Sequence, residues 1–339
     1  MINKQPTIKE IARRLNISVS TVSRALHDHA SIGLRTKMQV KKLAEELNYE
    51  PNQTAIFFQQ RKTFTIGVIL PHLGESFFSE AISGVEDVTA KNKYTVLLGQ
   101  SHDEVEKEKQ LIEKMKMHRV DGMLVSIAKS TTTYEHFEVL KKANIPVVFF
   151  DRIPRMQDIN YVACNMVSGT MQAVKFLLQK GHRVIGLLNG PENLFACKER
   201  QEGYVQALIK NRIKFDPSLV VNTDLSPDGN VKAVKELLAH KRKVTAVVVF
   251  NDYVAMDAMH YTQQQKLKLN KDICFVSYAN LPFTNYLKYS PMASVEQFPY
   301  KQGQKATEML IELLEKTDDS ALPSYYKIIL DSQLMINNA

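Results

Sequence analysis

The run TIKEIARRLNISVSTVSRAL, from Thr7 to Leu26, decides how this chain is to be read. Thr7-Ile8-Lys9-Glu10 has the form of a capping box, in which the Thr hydroxyl accepts from the third helical amide and the Glu reaches back to the cap. Ile8, Ile11, Ala12 and Leu15 follow at helical spacing. Asn16-Ile17 then breaks the pattern, and asparagine tolerates the left-handed backbone that a tight turn needs. Ser18 offers a second cap, and Val22, Ala25 and Leu26 form the buried stripe of a second short helix. After a polar, turn-like stretch from His27 to Gly33, a third helix fits Leu34 to Leu47, with Val40, Leu43, Ala44 and Leu47 on one side. Two short helices joined by a three- to four-residue turn and backed by a third form a helix-turn-helix. A plain three-helix bundle shares the apolar spacing. What separates the two is the outer face of the second helix, which carries Val19, Ser20, Thr21, Ser23 and Arg24. Arginine can take guanine O6 and N7 together, Ser and Thr can donate or accept, and valine can meet a thymine methyl.

Charge supports this reading. Residues 1–62 hold eleven Lys/Arg against five acids, a net of +6 out of +8 for all 339 residues. A small basic domain on a near-neutral body suits a polyanion, although charge alone would equally suit a solvated basic surface. Composition is that of a soluble globular chain, with 44% hydrophobic and 24% charged residues, and the length suggests two or three domains. The longest apolar runs, such as Ala246 to Phe250, fall far short of a membrane span. Met1 to Pro6 is polar and leads straight into a charged amphipathic segment, so no secretory signal is expected, and Cys164, Cys197 and Cys274 are odd in number and far apart, as expected in a reducing cytoplasm.

The opening run, followed by LAEELNYEPN, closely resembles the DNA-binding headpiece of LacI-type (lactose-repressor-like) bacterial regulators, almost continuously over residues 7–52. The resemblance implies a headpiece over 1–50, a hinge over 51–63 and a two-lobed effector-binding and dimerisation domain over 64–339. It implies that Val19, Ser20 and Arg24 read bases, while Thr7, Ser18, Thr21, Ser23, Tyr49 and Asn52 position the DNA backbone. In the hinge it places a small residue at Ala55 and a minor-groove wedge at Phe58, a role that phenylalanine can fill. Ile56 and Phe57 depart from the usual Arg-Ser, and three adjacent bulky apolar residues are equally compatible with packing between domains.

Beyond Thr65, short apolar runs alternate with helical patterns. Strands are expected at Ile66–Leu70, Tyr94–Gly99, Gly122–Ser126, Val147–Asp151, Val184–Leu188, Ala246–Asn251 and Cys274–Tyr278. Helices are expected at Phe77–Lys91, Val105–Met115, Ser168–Gln179, Arg200–Lys210, Val231–Ala239 and Asp252–Gln264. That order implies parallel α/β sheets, and some 275 residues suit two similar lobes. The fold class is therefore a helical headpiece followed by a two-lobed α/β domain with parallel sheets, which the resemblance implies is periplasmic-binding-protein-like. The resemblance continues more loosely through IGVILPHLGESFFSEAISGVEDV, RVDGMLVS, GHRVIGLLNGP, RQEGYVQAL, VVVFNDYVAM and SPMASVEQFPYKQG.

Ligands of open α/β sheets sit beyond the carboxyl ends of strands. Ser126, Asp151, Asn251 and Asp252 fall at such ends, and Arg200 is expected at a helix start, with Phe77 able to stack on an apolar ligand face. These groups suit a hydroxyl-rich ligand such as a sugar, and the resemblance assigns Asp151, Arg200 and Asn251 to effector contact. An Asp151–Arg152 ion pair, or capping of the next helix by Asn251 and Asp252, explains the same residues structurally. Ala279 stands where the family commonly has an acid, Leu225 where an aromatic platform is expected, and Asn337-Asn338 where a basic residue is common.

Two rivals remain. For an enzyme there is no phosphate loop, nucleophile elbow, H-E-x-x-H or C-x-x-C, so no catalytic residue, metal or cofactor is assigned. A solute-binding protein without a regulatory role shares the body but gives the headpiece no use. The sequence is expected to specify a cytoplasmic, homodimeric, effector-controlled transcription repressor. Its partners would be a pseudo-palindromic DNA operator and a small-molecule effector, a carbohydrate or related metabolite, with no membrane.

Overall fold

The computed structural model describes residues 6–50, 62–316 and 325–337. The chain divides into two compact units, Met1–Thr63 and Phe64–Ala339. The hinge expectations at Asn52, Ala55 and Phe58 lie outside the described residues, as does Asn338.

The first unit contains α1 (Ile8–Leu15), α2 (Val19–Leu26) and α3 (Leu34–Glu46). Thr7 caps α1, its hydroxyl accepting from the Glu10 amide at 3.4 Å, and Ser18 caps α2 by accepting from the Thr21 amide at 3.1 Å. The reciprocal half of the capping box is not built. Glu10 instead takes Arg13 at 3.0 Å and Arg14 at 2.8 Å, cations one turn ahead on its own helix, and these hold its carboxyl down to about 2. Asn16 closes α1 in the left-handed region, with φ 51° and ψ 44°. Ile11, Val22, Ala25 and Val40 are fully buried between the three helices, with Ala12 and Ala44 beside them.

The second unit is two α/β lobes. Lobe one holds β1 (Thr65–Leu70), α4 (Ser76–Lys91), β2 (Thr95–Gln100), α5 (Val105–Met117), β3 (Gly122–Val125), α6 (Glu135–Lys142), β4 (Val147–Phe150) and β5 (Asn160–Cys164). Lobe two holds α7 (Met166–Gln179), β6 (Ile185–Asn189), α8 (Phe195–Lys210), β7 (Val220–Asn222), α9 (Pro227–Leu238), β8 (Ala246–Val249), α10 (Asp252–Gln264), β9 (Cys274–Tyr278) and β10 (Ala293–Glu296). The chain then returns to lobe one as α11 (Pro299–Glu315) and β11 (Lys327–Leu330), and crosses once more to add β12 (Gln333–Ile336) to lobe two. The sheet orders are β11-β5-β4-β3-β1-β2 and β12-β10-β9-β8-β6-β7. Every described pairing is parallel except β10 with β12.

β3 and β8, GMLV and AVVV, are buried at every position, because helices cover both faces of each sheet. In lobe one α4 and α11 cover one face and α5 and α6 the other. In lobe two α7 and α8 lie on one side, α9 and α10 on the other. α4 and α11 meet through paired glycines. A Cβ on Gly84 would lie 2.1 Å from the Tyr300 carbonyl oxygen, and one on Gly303 would lie 2.0 Å from that of Ala81.

Candidate functional site

The outer face of α2 is built from short side chains and one cation. Val19 is 41% exposed, and Ser20 and Arg24 are exposed. Ser18 Oγ lies 2.8 Å from both Ser20 Oγ and Thr21 Oγ1, so three hydroxyls form a shared donor–acceptor patch at the start of the helix. Arg24 makes no ion pair among the described residues, which leaves its guanidinium available to a partner in solution. Thr7 is exposed, whereas Thr21 and Ser23 are half-buried. Tyr49 packs against the headpiece core, and burial raises its phenol above the usual range. One contiguous surface with a helix N-terminus, hydroxyls and an unpaired arginine can meet both phosphates and base edges.

The second site lies between the lobes of unit two, where residues following β1, β4, β6, β8, β9 and β10 face one another. The free space amounts to about 600 Å³, counting the part open to solvent. Of the residues expected there, Phe77, Asp151, Arg200 and Asn251 are brought together. Asp151 follows β4 with φ 57°, and burial pushes its carboxyl up to about 6 against the pull of Arg152 and Arg200. It forms no ion pair with Arg152, whose Nη1 lies 2.6 Å from Asp103 Oδ1 instead. Arg200 is 4% exposed, its guanidinium carbon 4.2 Å from the Phe250 ring centroid and 4.4 Å from that of Tyr278. Its Nε and Nη1 are buried without a hydrogen-bond partner, so the stacked cation keeps unspent donors at the cleft. Such groups cost about 1–3 kcal/mol each when left unsatisfied, a cost that a ligand acceptor relieves. Asn251 caps α10, its Oδ1 accepting from the Val254 amide at 2.9 Å, and the residue also lines the cleft.

Three expectations are corrected. Arg200 does not start a helix: α8 begins at Phe195 and Arg200 lies in its second turn. Ser126 is fully buried, its hydroxyl without a hydrogen-bond partner among the described residues, and it is not among the residues that line the cleft. Asp252 is fully buried and spends its carboxylate inside lobe two. Its Oδ2 accepts from the Leu281 amide at 2.7 Å, and its Oδ1 accepts from the Ser277 hydroxyl and from Ser294 at 3.1 Å. Leu225 packs against the lobe-two core with φ 66°, away from the cleft, whereas Ala279 lines it with φ 86°. The sequence reading missed Glu75, Phe195 and Gln297, which also line the cleft. Glu75 and Phe195 stand at helix entries after β1 and β6, a signal that could have found them, but Gln297 sits on a crossover visible only in the fold.

Residues 7–52 match the family described as bacterial regulatory proteins, lacI family, and residues 66–318 match the periplasmic binding protein domain. The chain is 32% identical over 313 residues to the HTH-type transcriptional repressor PurR of Vibrio atlanticus, covering 92% of this chain and 93% of that one. It is 30% identical over 318 residues to catabolite control protein A of Priestia megaterium, covering 93% and 95%. Among solved structures, the lac repressor dimer bound to operator and the anti-inducer ONPF shares the fold, with a TM-score of 0.82 over 98% of both chains at 22% identity.

Proposed function

The chain belongs to the lacI family of bacterial regulatory proteins and is a sequence-specific DNA-binding transcription repressor, and on that premise we propose how its residues carry the regulation. Val19, Ser20 and Arg24 read base edges in the major groove, and Thr7, Ser18, Thr21, Ser23, Tyr49 and Asn52 set the register on phosphates. Ala55 and Phe58 belong to a hinge that enters the minor groove. A twofold homodimer places two headpieces on a pseudo-palindromic operator. The observation that carries this reading is the exposed, unpaired Arg24 beside the Ser18–Ser20–Thr21 hydroxyls on a capped second helix.

The effector occupies the cleft of unit two, with Arg200 donating to it, Asp151 accepting from it, Asn251 fixing one edge and Phe77 covering an apolar face. A hydroxyl-rich metabolite such as a sugar fits, since each hydroxyl can both donate and accept. Its differential affinity for two lobe arrangements shifts the DNA-binding equilibrium. Relatives that are transcriptional repressors support a non-enzymatic role in the cytoplasm. No helix of the described residues is long and apolar enough to cross a membrane.

The test is a titration of the full chain against a labelled duplex carrying its own upstream region, with and without a panel of sugars and nucleosides. Competitor-resistant binding that one compound shifts is expected, and Arg200→Ala should abolish that shift while leaving DNA affinity intact. Failure of genome-wide site selection to enrich any sequence would overturn the regulator reading. A normal effector shift in Arg200→Ala would remove Arg200 from the pocket.

A further inference from the structure

Residues 127–131, which follow β3 in lobe one, are fixed at every position. The Ile127 amide donates to the Arg152 carbonyl at 3.1 Å, the Ala128 amide to Glu108 Oε2 at 2.7 Å and the Lys129 amide to Asp103 Oδ1 at 2.8 Å. Ser130 Oγ donates to the Asp103 carbonyl at 2.9 Å, and Thr131 Oγ1 to Glu108 Oε1 at 2.8 Å. Glu108 is fully buried and Asp103 nearly so. Two buried carboxylates thus shape a short loop from beneath.

The loop points one residue at lobe two. Lys129 Nζ donates to the Asp224 carbonyl at 2.9 Å, and Asn193 Nδ2 donates to the Lys129 carbonyl at 2.5 Å. The receiving segment is equally fixed. Asp224 Oδ1 accepts from the Ser226 amide at 2.9 Å, Thr223 Oγ1 accepts from the Leu225 amide at 3.1 Å, and Thr223 Oγ1 donates to Asn230 Oδ1 at 2.7 Å. The Ser226 hydroxyl and amide hold the Asp224 carboxyl below its usual range, and the charge of Lys129 adds to that in a smaller measure. Neither Lys129 nor Asn193 lines the cleft. Bonds between two pre-ordered surfaces cost little further conformational entropy, so they contribute more to closure than bonds between mobile side chains.

We infer that the 127–131 loop is a clasp, in which Lys129 and Asn193 hold the two lobes closed across the rim of the cleft without touching the effector. Closure then has a contribution from the protein itself, and an effector works on an equilibrium that this clasp has already biased. Only that last consequence rests on the cleft being the effector site. The clasp can be tested without effector or DNA, so its failure and that of the regulator reading are separable.

The test places spin labels on the full chain at Glu138→Cys in α6 and Glu236→Cys in α9, both exposed positions, and the three native thiols are buried. Labelled chain is diluted with unlabelled chain so that only distances within one protomer are read. Lys129→Ala and Asn193→Ala should each move the distance distribution toward longer values, the pair more than either alone, and Lys129→Arg should return it to that of the parent. Both side chains lie at the cleft rim outside the core clusters, and far-UV circular dichroism checks that each variant is folded. A distribution for the folded double variant that superimposes on the parent overturns the proposal, and so does an equal shift in Lys129→Arg.

Discussion

Arg24 and Arg200 put the same side chain to opposite uses, one in solvent and one stacked between Phe250 and Tyr278. Arg24→Ala should cost about 1–3 kcal/mol and relax preference at one operator position, as read by competition across single-base variants. A loss that is uniform over all variants would assign Arg24 to phosphate. Asp151 is held in a left-handed conformation and its carboxyl is raised from 3.8 to about 6 by burial. Between those values the folded chain holds a proton that the unfolded chain has released, so this group's contribution to stability falls as pH rises through that window. Asp151→Asn removes the charge and keeps a residue that tolerates the backbone. It should raise stability above pH 6 by about 1–3 kcal/mol and flatten the profile between 3.8 and about 6, while weakening effector binding. Melting curves at several pH values check the first part; a lower midpoint than the parent at pH 7 would refute it.

Among the elements, the α4–α11 contact has the least room. Gly303→Ala brings a Cβ against the Ala81 backbone carbonyl, which cannot rotate away as a side chain can. The helices must part, and the midpoint of thermal unfolding of the second unit should drop by an amount equivalent to about 1–3 kcal/mol or more. An unchanged midpoint would mean that the two helices slide freely. The central strands are legible in the sequence: β1, β3, β4, β8 and β9 are buried almost throughout and read as short, mostly apolar runs. β11 and β12 are not, because KIIL and QLMI lie at sheet edges and every one of their positions is exposed or only partly buried. α11 was also missed, since its entry through Phe298, at φ 54°, and Pro299 carries no side-chain cap.

For the whole molecule, eleven basic residues in the first 62 imply that DNA affinity depends steeply on salt. If six to ten phosphates are engaged, affinity should fall by roughly a thousand- to a hundred-thousand-fold between 50 and 200 mM salt. A fluorescence-anisotropy series checks this, and a nearly flat response would contradict a phosphate-based interface. Arg200→Ala, buried in the second unit, should leave the slope unchanged, because it alters no charge in the first. Cleft variants and headpiece variants should therefore separate cleanly in one experiment.

The sequence by itself determined the headpiece, its two capped helices, the parallel α/β character of the body and the family. All but the family depend on local periodicity and short-range capping, which are written residue by residue, and the family follows from the resemblance of residues 7–52. Only the tertiary structure decided that Asp252 is consumed by Leu281, Ser277 and Ser294, that Arg152 pairs with Asp103 rather than Asp151, and that Lys129 reaches across to Asp224. Each of those outcomes depends on which strand ends the sheet order and the three crossovers bring together. A polar residue's partner is then chosen by proximity in space, and nothing in its neighbours along the chain encodes that choice.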